Sequence, residues 1–366
     1  MGKTTKRSCL ENINPYVPGK PIEEVERELG LSDVVKMASN ENPLGPSPKA
    51  VKAITDYLHR ISLYPDGNGF YLKQDLAKYL GLDEKNIVLG NGADELIILV
   101  GAAYLNPGDE IIMAQPSFSE YDFSARLMDA VPVRVPCKDF RHDLDAIAAA
   151  ITGKTKIIYI CNPNNPTGTI VTQEEVEKFL DKVPPEILVV FDEAYYEFVD
   201  DESYAKSIDF LKNGFNILIL RTFSKIFGLA GLRVGYGLAA EGVISDLNTV
   251  REPFNVNSVA QVAARAALGD MEHIEAVKDV NRKGKEYLAA EFKRMGLSYV
   301  PTEANFFFVE VGVDSKELFQ MMLRKGVIVR TGDIFGYPKY IRVTIDTEDH
   351  NIRFIKALEG CLQEMA

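Results

Sequence analysis

The sequence predicts an α/β fold: a large domain built on a mainly parallel sheet flanked by helices, followed by a smaller α+β domain. Three observations predict it. From about residue 45 to 240, short apolar runs alternate with amphipathic stretches of helical period. Several runs are continuous, as in Ile-Leu-Val-Val-Phe at 187–191, which suits strands covered on both faces. After about residue 260 the pattern changes to longer helices with single strands between them. The expected division is an arm over 1–36, a large domain over 37–260 and a small domain over 261–366, since 366 residues exceed what one small core organises.

Each element has a local reason. In the arm, Pro15, Pro18 and Pro21 punctuate the approach to a charged helical stretch. Ser47-Pro48 reads as an N-cap followed by proline at the first helical position, after which Ala50, Val51, Ile54, Leu58 and Ile61 line one face. Strands are expected at 87–89, 111–114, 131–135, 157–161, 187–191 and 217–220. Thr172 with Glu175 forms a capping-box pattern. Beyond 260, a helix through 285–295 precedes a strand at 306–311. A helix opened by Asp314 with Glu317 follows, then strands near 327–330 and 340–345 and a closing helix.

Composition narrows the function. A net charge of -12 without a local basic patch disfavours nucleic acid and anionic membranes as partners. Any anionic ligand must then be held by a few placed arginines and backbone N–H groups. Four scattered cysteines and four scattered histidines lack metal-ligand spacing, so no metal is expected. The basic first residues run into Glu11, Asn12 and Asn14 rather than an apolar core, and the longest apolar run, 96–105, is about half a membrane span. A cytoplasmic enzyme is expected.

In doubly wound sheets, ligands gather beyond the carboxyl ends of the strands. After 87–89 comes Gly90-Asn91-Gly92-Ala93-Asp94-Glu95, a turn into a helix whose N-terminus favours an anion, without the third glycine of a dinucleotide fingerprint. After 157–161 comes Asn162-Pro163-Asn164-Asn165-Pro166-Thr167-Gly168. After 187–191 comes Asp192-Glu193-Ala194-Tyr195, an acid at the end of a very apolar strand, which needs a cationic partner if buried. After 217–220 comes Arg221-Thr222-Phe223-Ser224-Lys225-Ile226-Phe227-Gly228, with a lysine among apolar neighbours that would lower its pKa. An anion cradle, an amide, an acid and a desolvated amine together match a phosphorylated pyridine aldehyde.

At these residues the chain resembles the fold-type-I pyridoxal-phosphate aminotransferases of class I/II, and within them the histidinol-phosphate aminotransferase family. Blocks in family order include Asn14–Pro21, Ser39–Pro48, Tyr64–Gly69, Asn164–Gly168, Asp192–Tyr195, Ser224–Gly235 and Ile341–Ile345. The resemblance implies a homodimer using pyridoxal 5′-phosphate, with Lys225 bonded to the cofactor aldehyde and moving the substrate proton. Asp192 would pair with the ring nitrogen, and Asn165 and Tyr195 with the ring oxygen. Ser224, Arg233 and the N–H groups around Ala93 and Asp94 would bind the phosphate, and Phe118 would stack on the ring. Tyr64 would reach the neighbouring copy's phosphate. Arg342 would bind the substrate's anionic end, with Tyr16 and Arg330 as further phosphate contacts.

The resemblance implies transamination between L-histidinol phosphate, or its ketone, and 2-oxoglutarate/glutamate in histidine biosynthesis. An aromatic or broad-specificity aminotransferase and a threonine-phosphate decarboxylase are the alternatives. Two departures bear on this choice: the run 331–337 differs from the family's glycine-rich stretch, and Asp346 stands where glycine is common. A carboxylate pointing inward there would weaken anion binding at Arg342.

Overall fold

A computed structural model describes residues 4–13 and 19–365. The first strand is β1 (Val35–Lys36), followed by β2 (Ile87–Gly90), β3 (Glu110–Gln115), β4 (Val131–Pro136), β5 (Thr155–Cys161), β6 (Leu188–Asp192), β7 (Ile217–Thr222) and β8 (Gly235–Ala239). Strands β2 to β8 form one seven-stranded sheet in the order β2-β8-β7-β6-β5-β3-β4. The run from β7 to β4 is parallel, whereas β8 lies antiparallel to both neighbours.

Period-two geometry explains the continuous apolar runs. On β6, Val189 and Phe191 join one core while Leu188 and Val190 join another on the opposite face. On β7, Ile217 and Ile219 divide from Leu218 and Leu220 in the same way. The first face is covered by Ala260, Ala263 and Ala264 of the helix Ser258–Leu268, the second by Leu96, Ile97 and Val100 of the helix Ala93–Tyr104. With both faces covered, polar residues on these strands are confined to their carboxyl ends, Asp192 on β6 and Arg221 with Thr222 on β7.

The remaining strands are β9 (Ser298–Val300), β10 (Phe306–Glu310), β11 (Val327–Ile328), β12 (Arg330–Thr331) and β13 (Tyr340–Thr344). An antiparallel sheet runs β12-β13-β10-β9, and β1 pairs in parallel with β11. Its core joins Leu288 and Phe292 of the helix Met271–Arg294 to Ile341, Val343, Phe354 and Leu358, together with Val35 of β1 and Met37 just after it.

Helix starts follow the expected chemistry. Ser47 accepts hydrogen bonds from the Lys49 and Ala50 N–H groups, Asp314 caps Ser315–Arg324, and Thr172 with Glu175 completes a capping box. The face expected after Ser47 differs. Ala50 is buried and Ile54 packs against the core, but Val51, Leu58 and Ile61 are exposed. The α-helix ends at Tyr57 and tightens to a three-residue turn over Leu58–Arg60, which rotates the later apolar residues off the stripe. The strand expected over 327–330 is split at Val329 between two sheets.

Candidate active site

Strands β5, β6 and β7 lie side by side, and their carboxyl ends open into a cleft of about 1010 Å³ including its mouth. Asp192, the last residue of β6, is 3% exposed. Its Oδ2 accepts a hydrogen bond from the Tyr121 hydroxyl at 2.6 Å and its Oδ1 accepts one from the Ala194 N–H at 3.2 Å. Burial pushes its pKa up to about 6, and these two donors oppose the rise.

The loop after β7 presents the lysine. Phe223, Ile226, Phe227 and Leu229 bury their side chains and anchor the turn, leaving Ser224 and Lys225 on the cleft side. Thr222 Oγ1 donates to Ser224 Oγ at 2.9 Å and accepts from the Ser224 N–H at 3.0 Å, which fixes the loop's entry. Lys225 Nζ donates to the Ser39 carbonyl at 3.0 Å. Burial, and then the nearby charge of Arg342, lower its pKa to about 8. An amine at that value is available as a neutral nucleophile near physiological pH.

Tyr195 lies behind the lysine, with its ring centre 5.7 Å from Nζ and its hydroxyl accepting from Asn40 Nδ2 at 2.9 Å. Burial raises its pKa above the ordinary phenol range. Asn165 joins the deep part of the cleft through its Oδ1, which accepts from Arg342 Nη1 at 2.7 Å. Arg342 Nη2 donates to the Ala38 carbonyl at 2.6 Å. The arginine is 7% exposed, while its strand neighbours Ile341 and Val343 point into the opposite core. The arginine thus faces the cleft and not bulk solvent. Asp346 does not turn inward: its Oδ1 is 2.9 Å from His350 Nδ1 and accepts from the Thr347 N–H.

At the outer end, Gly92 precedes the helix Ala93–Tyr104 with φ +83°, and a Cβ there would lie 2.4 Å from Arg233 Nη2. Only glycine lets the guanidinium approach the helix start, where the first N–H groups lack intrahelical partners. Arg233 Nη2 donates to Asp94 Oδ2 at 3.2 Å, a half-exposed pair. The helix N-terminus, Ser224 and Arg233 thus surround space suited to a phosphate.

The expected site residues divide accordingly. Ala93, Asp94, Ser224 and Arg233 line the outer end; Asn165, Asp192, Tyr195 and Lys225 line the deep end; Phe118, Arg330 and Arg342 complete the wall. Tyr64 does not line this cleft; it is 82% exposed and stacks on Phe254 at 4.9 Å. Tyr16 lies outside the described residues.

Sequence reasoning missed Tyr121, the Asn40 amide, the Ser39 carbonyl and Thr222. It also missed an ion pair behind the site. Arg221 Nε donates to Glu193 Oε2 at 2.8 Å with both side chains at most 3% exposed, joining the ends of β6 and β7. Breaking such a buried pair costs roughly 3–5 kcal/mol. Asn40, with φ +55°, carried a weak signal as an asparagine in a left-handed turn.

The donor set fits a phosphorylated pyridine aldehyde: one buried acid, one desolvated amine, amide and phenol groups between them, and an anion cradle at the far end. Residues 32–358 match the family model described as aminotransferase class I and II. The chain is 57% identical over 357 residues to the histidinol-phosphate aminotransferase of Moorella thermoacetica, covering 97% of this chain and 92% of that one. It is 50% identical over 356 residues to the protein of the same name from Caldicellulosiruptor saccharolyticus, covering 97% and 99%. A crystal structure of histidinol-phosphate aminotransferase from Sinorhizobium meliloti in complex with pyridoxal-5′-phosphate superposes with a TM-score of 0.92 at 26% identity, covering 100% and 99%.

Proposed function

Because the chain belongs to the class I and II aminotransferases, we propose that it moves an amino group between L-histidinol phosphate, or its ketone imidazole-acetol phosphate, and 2-oxoglutarate/glutamate in histidine biosynthesis. The enzyme depends on pyridoxal 5′-phosphate. What carries the substrate reading is near full-length identity to proteins named for that reaction.

When bound, the cofactor supplies an electron sink for the pair left when a proton leaves the substrate carbon. Lys225 would hold the cofactor at its aldehyde through its neutral amine, and that amine would carry the proton to and from the substrate carbon. Asp192 holds the proton on the ring nitrogen. Tyr195 accepts from Asn40, so its own hydroxyl proton is available for the ring oxygen. With Asn165 Oδ1 taken by Arg342, its amide N–H groups remain to share that oxygen. Phe118 stacks on the ring. Ser224, Arg233 and the Ala93 and Asp94 N–H groups hold the cofactor phosphate. Arg342, Arg330 and Tyr16 bind the substrate's anionic end.

The assembly we infer is a homodimer in which Tyr64 reaches the other copy's cofactor phosphate. Exposed Leu58, Ile61, Leu63, Phe70 and Tyr71 cluster around it in sequence, and large apolar side chains concentrated in this way mark an interaction surface. The working division of the chain is an arm over 1–36, a large domain over 37–260 and a small domain over 261–366. Four free cysteines support a cytoplasmic setting, and among the described residues no helix is long and apolar enough to cross a membrane.

Supplying histidinol phosphate, phenylalanine or threonine phosphate separately, the first two with 2-oxoglutarate, tests the reading. Glutamate formation should favour histidinol phosphate over phenylalanine in kcat/KM by on the order of 100-fold or more, as expected where a buried polar group goes unpaired with the wrong substrate. Comparable rates would establish a broad or aromatic aminotransferase, and CO2 release from threonine phosphate a decarboxylase.

A further inference from the structure

Tyr121 has no part in the roles given above, yet it touches two residues placed around the cofactor ring. It is the second residue of the helix Glu120–Leu127, about one turn after Phe118, and is fully buried. Its hydroxyl donates to Asp192 Oδ2 at 2.6 Å. Its ring lies edge-on to Phe118, with centres 5.7 Å apart at 81°. On its other side it stacks nearly parallel on Tyr159, with centres 4.3 Å apart at 10°. The stack fixes the ring, so the hydroxyl is presented to the carboxylate with little rotational freedom to lose.

We propose that Tyr121 is a positioning residue for the cofactor ring: its hydroxyl keeps Asp192 ionised and aimed at the ring nitrogen, and its ring edge holds Phe118 in its stacking position. This rests on the pyridoxal-phosphate reading of the cleft. A carboxylate in so apolar a place favours the neutral form, and hydrogen bonds donated to it favour the ionised form. Asp192 has two such donors, Tyr121 and the Ala194 N–H, and the tyrosine bond is the shorter by 0.6 Å (3.2 against 2.6 Å). Without the hydroxyl, burial acts against a single weaker donor. A neutral Asp192 cannot hold a proton on the ring nitrogen by charge, and the nitrogen supplied by Lys225 then keeps its own proton to higher pH.

The test is Tyr121→Phe in the holoenzyme, which keeps the ring in the stack and removes only the hydroxyl. Tyr159→Phe serves as the control. It removes a phenol from the same stack, and the Tyr159 hydroxyl is buried without a hydrogen-bond partner among the described residues. The pyridoxal-phosphate dissociation constant of Tyr121→Phe should rise about tenfold or more, the effect of losing a hydrogen bond to a charged group. The pH at which the bound cofactor's absorbance changes should move upward by about one unit. Tyr159→Phe should match the parent in both. Parent-like affinity and titration in Tyr121→Phe would overturn the proposal, as would equal shifts in the two variants, which would assign the effect to packing. A parent protein that binds no pyridoxal phosphate would instead overturn the reading on which the proposal rests.

Discussion

The deep and outer ends of the cleft hold their charges in opposite ways. At the deep end, Asp192 and Tyr195 are no more than 4% exposed and every contact described comes from this chain. At the outer end, the side chains of Arg233 and Asp94 are 42% and 54% exposed, and an exposed pair of that kind is worth at most about 1 kcal/mol. Arg233 can therefore exchange Asp94 for a phosphate at small cost. The deep end is preorganised by burial, whereas the outer end stays adaptable because water shares its solvation.

The strongest challenge to that contrast is Lys225→Ala, which should abolish transamination and the borohydride-sensitive absorbance near the visible edge while circular dichroism stays unchanged. Near-normal turnover would remove the deep end from the chemistry. Asp192→Ala should lower kcat by roughly 10²–10³-fold, in the range seen when a preorganised charge partner is deleted; steady-state rates at saturating cofactor measure it. Arg342→Ala should raise KM about tenfold or more, most for doubly anionic substrates. An equal effect on neutral amines would show that the arginine supports the wall rather than the substrate.

Proton linkage sharpens the comparison further. Burial raises the folded-state pKa of Asp192 to about 6, above the ordinary carboxylate range, so the folded chain holds this proton more tightly. Its contribution to stability falls as pH rises from about 4 to 6. Cofactor-free Asp192→Asn should therefore melt a few degrees above the parent at pH 7, and the advantage should vanish near pH 4. Calorimetry across that range decides it. The smallest effect belongs to the outer end. Tyr64→Phe should weaken cofactor binding only a few-fold, with an unchanged melting point for the cofactor-free chain, because the residue is 82% exposed.

The same contrast governs what could be read from sequence. Strands β5, β6 and β7 were legible because burial on both faces leaves uninterrupted apolar runs ending in the loops that line the cleft. Strand β8 was not. Its Gly-Tyr-Gly start has no strand pattern, and a Cβ at Gly235 would lie 2.7 Å from the Ala93 nitrogen. The glycine is dictated by a neighbour 142 positions earlier, which no local window contains. Asp192 and Lys225 stood out as charges among apolar residues, whereas Tyr121 looks like any aromatic on a helix until the fold brings Asp192 to it. The face through Leu58 and Ile61 failed for a different reason: periodicity was extended past the point where the helix changes pitch.

One backbone segment shows how closely the halves of the cleft are joined. The Met37 carbonyl accepts from the Thr344 N–H, the Ala38 carbonyl from Arg342 and the Ser39 carbonyl from Lys225, while the Asn40 carbonyl accepts from Asn305. Four successive peptide oxygens thus serve as rungs between the antiparallel sheet and the lysine. A rigid shift of that sheet drags the rung beneath Lys225 with it, so the mobility of the amine is mechanically geared to the seating of Arg342.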